Sequence, residues 1–535
     1  RLHSNAMTNE VLNERNTEEK EEQSRLKQYK NLSKHEDMRR RRTECSVEIR
    51  KQKRDDLMMK RRNLSVDDDD EDEEDEENKT EKKQEEVKKA PILSCEQVIE
   101  ILKANPSLEQ TREAFENVRR MLSRSKNPPV DEVINSGLIH ALVQGLAIQD
   151  EKVAYEAAWA ITNIVSGTSE QTVKAVEAGA TQPLIVLMLH SDSNLAEQAT
   201  WAVANIAGDS AQLRDFVIQC SGVEALMTLT ERVDSLSKSF VRTLAWAFSN
   251  MCRHKNPHAP LPVLAVLSQG LVRLMSCNDY QVRQDSCWAV SYLTDGPDEQ
   301  ISLARECGVL PLVFRALQED DGLAAPALRV LGNMATGNDI LTQAVIELGT
   351  LSVLPEVAKR AKSTSIVKEC CWLISNVIAG TQSQIQAVLD TGLLSMIVHV
   401  LQTGDFRCQF ECSWALANLV QGGTSSQILD LVAEKPYDAL CGALGGTNND
   451  LLVNILEVIY SLLNTVATQR PDQIDLMKEE IEEVGGLDKL EKLQESMNEK
   501  VYTLSYKILS EYFSEDDDED GVNDENEQVG HYNFA

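Results

Sequence analysis

The chain has 535 residues, 42% hydrophobic and only 5% aromatic, and its 86 Asp and Glu against 54 Lys and Arg set a net charge of −32. That acidity argues against a nucleic-acid footprint, and the lack of an apolar run of about 18 residues argues against a membrane span. Charge is also segregated: residues 25–62 hold 15 basic and 6 acidic residues, a surplus of 15 − 6 = +9, so the rest carries −32 − 9 = −41.

Residues 1–24 read as disordered, with 1–6 resembling a cloning remnant ahead of Met7, and no signal-peptide h-region is present. The segment 25–63 is basic, through Arg39-Arg40-Arg41-Arg42, Arg50-Lys51-Gln52-Lys53-Arg54 and Lys60-Arg61-Arg62. Its apolar content is too thin for a stable isolated helix, which predicts folding on an acidic partner. Residues 64–94 include eleven consecutive acids from Asp67 to Glu77 and read as a flexible linker.

From 95 to 513 a repeat takes over. Trp159/Asn163, Trp201/Asn205, Trp246/Asn250, Trp372/Asn376 and Trp414/Asn418 set the same pair four residues apart, and Trp288/Tyr292 and Arg329/Asn333 occupy the slot in altered form. The steps run 42, 45, 42, 41, 43 and 42 residues. A period near 42 marks an armadillo or HEAT solenoid, here of about ten units. The expected fold is therefore all-α, a right-handed superhelical array. Val153, Ala157, Ile161 and Ile164 form a separate apolar stripe for packing between repeats. Gly137, Gly179, Gly222, Gly308, Gly349, Gly392 and Gly486 precede the middle helices, while Pro257 to Pro262 replaces that turn in the fourth unit. Residues 514–535 form an acidic, disordered tail.

A four-residue offset places each Trp and Asn on one helix face. An Asn at every rung would be costly if buried without partners, so this face is expected to line an open groove. Parallel indole walls suit the stems and charged heads of Lys and Arg. The Asn amides can pair with the main chain of an extended peptide. Acidic or amide residues stand three positions before the Trp, at Gln198, Asp285, Glu369 and Glu411. Eight positions after it Gly is usual, as at Gly167 and Gly296, which suits a helix C-cap, but the second unit has Asp209 there. An acid at a helix C-terminus is unfavourable, which suggests that Asp209 neutralises a ligand cation.

The Trp/Asn ladder, the Arg39–Arg42 and Lys60-Arg61-Arg62-Asn63 runs and the acidic linker together resemble the importin-α family of nuclear import adaptors, over essentially the whole chain from residue 25. The resemblance implies a major site for Lys/Arg-rich nuclear localisation signals at Trp159, Asn163, Gly167, Thr172, Gln198, Trp201, Asn205, Asp209, Trp246, Asn250 and Asp285. It implies a minor site at Trp288, Tyr292, Arg329, Asn333, Thr342, Glu369, Trp372, Asn376, Glu411, Trp414 and Asn418. By the same resemblance the basic segment binds importin-β, and Lys60, Arg61 and Arg62 act as an autoinhibitory mimic of cargo. The last repeats resemble the surface held by a CAS-type export receptor with Ran-GTP; nuclear pore components and shuttling between cytoplasm and nucleus are implied too. The break in the ladder predicts two pockets, whose ligand clusters centre about 14 residues apart at roughly 10 Å per repeat and about 3.3 Å per ligand residue.

No Walker A loop, G-x-S-x-G, H-E-x-x-H or dinucleotide fingerprint occurs. His254/His258 and Cys408/Cys412 lack completing ligands, so neither catalysis, a metal nor a cofactor is expected. The Cys residues form no C-x-x-C pair and read as reduced, in a cytosolic or nuclear setting. Two other readings compete. An acidic histone-binding chaperone would not need the ladder, and a β-catenin-like scaffold would need a basic groove.

Overall fold

The computed structural model describes residues 60–63 and 92–514; the runs Arg39–Arg42 and Arg50–Arg54, most of the linker and the tail beyond 514 lie outside them. Among the described residues every regular element is helical. A typical repeat is Ser169–Glu177, Thr181–Leu187 and Ser193–Asp209, two short helices and a long one. The chain divides into two units at Leu393/Leu394. In the first, the last helix of successive repeats is Leu108–Leu122, Glu151–Val165, Ser193–Asp209, Lys238–Arg253, Tyr280–Leu293, Asp321–Ala335 and Thr364–Ile378. The second contains Phe406–Gly422, Asn449–Gln469 and Glu499–Tyr512.

Local sequence sets the ends of these helices. Several first helices open with a capping box, as in Thr168/Gln171, Thr381/Gln384 and Thr424/Gln427. Long helices are capped by Asp150, Asp192, Asp279 and Asp405, whose carboxylates accept from the third backbone N–H. Gly137, Gly179, Gly308, Gly349 and Gly392 have positive φ and turn the chain into the middle helix. Two repeats differ from the sequence expectation. The left-handed residue is Ser221 rather than Gly222, and Gly485 rather than Gly486. Gly222 and Gly486 instead open their helices, where a Cβ would meet the carbonyls of Val217 and Ile481 at 2.9 and 2.7 Å.

The glycines eight residues after Trp159, Trp288 and Trp372 are not left-handed C-caps either. A Cβ on Gly167, Gly296 or Gly380 would collide with Gln171, Gln300 or Gln384, within 2.0–2.6 Å. These glycines clear space for a glutamine side chain of the next helix. The insert in the fourth unit leads into one long helix, Leu261–Met275. His254 caps the helix before it and sits 3.1 Å from the Gly208 carbonyl, as a loop residue.

Val153, Ala157, Ile161 and Ile164 are fully buried, each Val or Ile contributing about 1.5–3 kcal/mol of transfer free energy. Small residues such as Ala158, Ala199 and Ala204 let neighbouring long helices approach closely. In the second unit, Asn449–Gln469 corrects the expectation of no apolar run: its 21 residues are long and apolar enough to cross a membrane by length and composition. Its apolar side chains Leu452, Ile455, Ile459 and Leu462 are buried within that unit, so hydrophobicity here serves packing between repeats.

Gly332 tests how tightly the first unit is packed. A Cβ there would lie 1.9 Å from the ring of Trp372, which is itself 2% exposed and has little room to move. Helix propensity alone favours Gly→Ala by about 1 kcal/mol. Overpacking costs about 1–3 kcal/mol and should decide the sign. Gly332→Ala is therefore expected to lower the urea midpoint. An unchanged or higher midpoint would refute the packing argument.

Candidate peptide-binding groove

Lys60-Arg61-Arg62-Asn63 lies along the face bearing Trp159, Trp201 and Trp246. Trp201 Nε1 and Asn205 Nδ2 donate to the Arg61 carbonyl at 2.8 and 3.0 Å, and the Arg61 N–H donates to Asn205 Oδ1 at 2.9 Å. Two residues on, the pattern repeats: Trp159 Nε1 donates to the Asn63 carbonyl at 3.0 Å, and the Asn63 N–H donates to Asn163 Oδ1 at 2.9 Å. The segment is thus held by its main chain at every second residue and runs antiparallel to the order of the repeats.

Side chains fill distinct slots. Lys60 Nζ reaches Asp209 at 2.5 Å, the Gly167 carbonyl at 2.9 Å and Thr172 Oγ1 at 2.8 Å. Asp209 is the last residue of the long helix Ser193–Asp209. Arg61 lies over Trp246, with Cζ 4.6 Å from the ring centroid, and pairs with Asp285 at 3.3 Å. Burial pushes the Asp285 carboxyl above the usual carboxylate range, and the Arg61 charge opposes that rise. Arg62 donates to the carbonyls of Leu122, at 2.7 Å, and Arg124. These lie at the negative end of helix Leu108–Leu122. Asn63 Nδ2 donates to Gln198 Oε1 at 2.9 Å.

Two expectations are corrected. The asparagines are buried, at 0–6% exposure from Asn163 to Asn418, because each of those in the first unit also donates to its neighbouring repeat. Asn163 reaches Ser123 Oγ at 3.1 Å, Asn205 the Thr162 carbonyl at 3.3 Å, and Asn250 the Ala204 carbonyl at 2.8 Å. Asn333 reaches the Ser291 carbonyl at 3.0 Å and Asn376 the Gly332 carbonyl at 3.4 Å. Each amide therefore joins two repeats as well as facing the groove. The indoles are also not uniformly parallel. Trp201 and Trp246 meet edge to face, at 6.4 Å and 77°, an arrangement that suits their quadrupoles.

Further along, Trp288 stacks on Tyr292 at 6.4 Å, and Arg253 donates to Asn250 Oδ1 at 2.9 Å. Arg329 pairs with Glu369 at 3.2 Å and lies 5.6 Å over Trp372. Thr342 is buried in the same setting as Thr172, against the helix before it. In the second unit Glu411 and Asn418 are buried and Trp414 packs edge-on to Phe410. Sequence reasoning singled out neither the carbonyls that hold Arg62 nor the indole N–H donors. It also passed over Glu156, although Glu156 stands three residues before Trp159 as Gln198 does before Trp201.

The comparisons with known proteins come from sequence and from structure. A model described as the importin beta binding domain matches residues 25–114. Armadillo/beta-catenin-like repeat models match 126–166, 168–208, 269–295, 338–379 and 381–421, and an atypical armadillo repeat matches 476–529. Importin subunit alpha-2 of Caenorhabditis elegans is 57% identical over 96% of both chains. Importin subunit alpha-4 of Arabidopsis thaliana is 35% identical, again over 96% of each. An engineered protein of known crystal structure aligns with a TM-score of 0.67 at 23% identity, over 78% of this chain and 98% of its own, and shows the fold alone. With relatives this similar over nearly its whole length, the chain belongs to the importin-α family.

Proposed function

We propose that this protein is a nuclear import adaptor that holds Lys/Arg-rich localisation signals extended in the Trp159–Trp246 groove and links them to importin-β through the basic segment 25–63. The observation that carries the reading is the two-residue rhythm of main-chain grip at Arg61 and Asn63, with Lys60 on Asp209. Such a grip accepts any extended chain, while the acids and carbonyls choose cations. Lys60-Arg61-Arg62 is then a cargo mimic, tethered to the repeats by a linker that keeps its effective concentration near the millimolar range. Importin-β, by taking the basic segment, vacates the groove. The pairs Trp372/Asn376 and Trp414/Asn418 each offer the same chemistry to a second basic cluster. The final repeats engage an export receptor with Ran-GTP, and contacts with nuclear pore components complete a shuttling cycle between cytoplasm and nucleus.

The test is calorimetry of a Lys-rich signal peptide against the full chain and against a full chain carrying Lys60→Ala, Arg61→Ala and Arg62→Ala. The variant should bind at least about tenfold more tightly, and importin-β should bring the unmodified chain to the same affinity. Equal affinities without importin-β would end the autoinhibition reading. A scrambled peptide of the same charge that bound equally well would end the groove reading.

A further inference from the structure

The first wall of the groove already has an occupant. Arg119, on helix Leu108–Leu122, places its guanidinium over Trp159 with Cζ 4.6 Å from the ring centroid. Its Nε donates to Glu156 Oε2 at 2.7 Å. The two side chains are 14% and 8% exposed, and Tyr155 closes on Trp159 edge to face at 5.8 Å. Burial pushes the Glu156 carboxyl above the usual carboxylate range, and the Arg119 guanidinium beside it opposes that rise.

This arrangement repeats what the ligand-like segment does one rung further on. Arg61, gripped by main chain at the Trp201 helix, sends its side chain over Trp246 to an acid, Asp285. Asn63, gripped at the Trp159 helix, sends its side chain to Gln198 on the Trp201 helix. Each gripped residue thus directs its side chain beyond the helix that grips it, Asn63 to an amide on the next long helix and Arg61 across the indole of the next long helix to an acid on the one after. By extension, position 65 of an extended ligand would direct its side chain towards the helix of Trp159, where the indole corresponds to the Trp246 face under Arg61 and Glu156, three residues before it, corresponds to the Gln198 that receives Asn63. That slot has the composition of a cation site, an indole face and a buried acid, and the protein's own Arg119 fills it.

We propose that Arg119 is a specificity determinant that ends the row of cation slots at the Asn63 position. It does so by occupying, with matched charge, the slot that a ligand Lys or Arg two residues further on would take. The proposal rests on the groove reading above. Its consequence is register: in a long run of Lys and Arg, many two-residue shifts offer similar contacts, and the filled slot makes one shift unrewarding because the incoming cation meets a like charge.

The test uses the full chain with Lys60→Ala, Arg61→Ala and Arg62→Ala, so that its groove is vacated, and two peptides. One has the protein's own sequence over 57–66, and the other carries Ser65→Arg. In this background the added arginine should change affinity less than about twofold. With Arg119→Ala added it should tighten binding about five- to tenfold, since both the acid and the indole face become available. With Arg119→Ala and Glu156→Gln together, which leaves no unpaired buried acid to disturb folding, the gain should fall to about two- to threefold. The same gain in all three chains, or none in either Arg119 variant, would overturn the proposal and leave the groove reading intact. Failure of both peptides to bind the background chain would overturn the two together.

Discussion

Replacing Asp209 with lysine is expected to weaken binding of a lysine-bearing signal peptide about 10²- to 10⁴-fold. Lys60 Nζ sits 2.5 Å from Asp209, whose side chain is 3% exposed, with the Gly167 carbonyl and Thr172 hydroxyl completing the pocket. Removing one partner of so buried a pair costs roughly 3–5 kcal/mol, because the other charge is left desolvated. A second ammonium in the same pocket adds repulsion. Stability should move the other way. Asp209 ends the helix Ser193–Asp209, where an acid is unfavourable by about 0.3–1 kcal/mol and a lysine is favourable. In the chain with Lys60, Arg61 and Arg62 changed to Ala, Asp209→Lys should therefore hold or raise the unfolding temperature while abolishing lysine recognition. Asp209→Asn, which keeps an acceptor but no charge, should fall between. Calorimetry beside thermal unfolding separates the two quantities, and unchanged peptide affinity would remove Asp209 from the site.

That opposition between helix chemistry and ligand chemistry is what made Asp209 conspicuous in the sequence. The fold was readable for a related reason: the 42-residue step brings Trp, Asn and Gly back to the same helical positions, and the stripe from Val153 to Ile164 has a helix period and nothing else. What stayed hidden depends on partners far away in sequence or on main-chain atoms. The bond of Asn205 to its neighbouring repeat goes to the carbonyl of Thr162, 43 residues away. No residue type announces a carbonyl acceptor. The same holds for the Leu122 carbonyl that receives Arg62. Gly167 was legible as a glycine at a helix end but not as space for Gln171, since both readings ask for the same residue. Asn449–Gln469 shows a different limit. Asn454, Glu457 and Asn464 interrupt its apolar run, whereas hydropathy averaged over a whole helix is what membrane-spanning length and core packing share.

The double change Trp201→Ala with Asn205→Ala is the second large expected effect, and it differs in kind from Asp209→Lys. Together these residues make three hydrogen bonds to the Arg61 main chain, at 2.8, 3.0 and 2.9 Å. At about 0.5–1.5 kcal/mol each, and with the indole wall removed, the loss should reach roughly 3–5 kcal/mol, or about 10²- to 10⁴-fold in affinity. Because these bonds go to main chain, the loss should be nearly the same for every signal peptide, whatever residue faces Asp209. The loss on Asp209→Lys should instead shrink when the peptide's lysine is replaced by alanine. Trp201→Phe separates the aromatic face from the donor: it keeps a smaller aromatic ring and loses the N–H bonded to the Arg61 carbonyl, so it should cost about tenfold. Asn205 also bonds to the Thr162 carbonyl, so Asn205→Ala alone should lower stability by about 1 kcal/mol as well as affinity. Measured as a grid of peptides against variants, sequence-independent losses for Trp201 and Asn205 beside lysine-dependent losses for Asp209 are the expected pattern. If the Trp201/Asn205 loss instead followed the peptide's side chains, the main-chain grip would not be what holds the ligand extended.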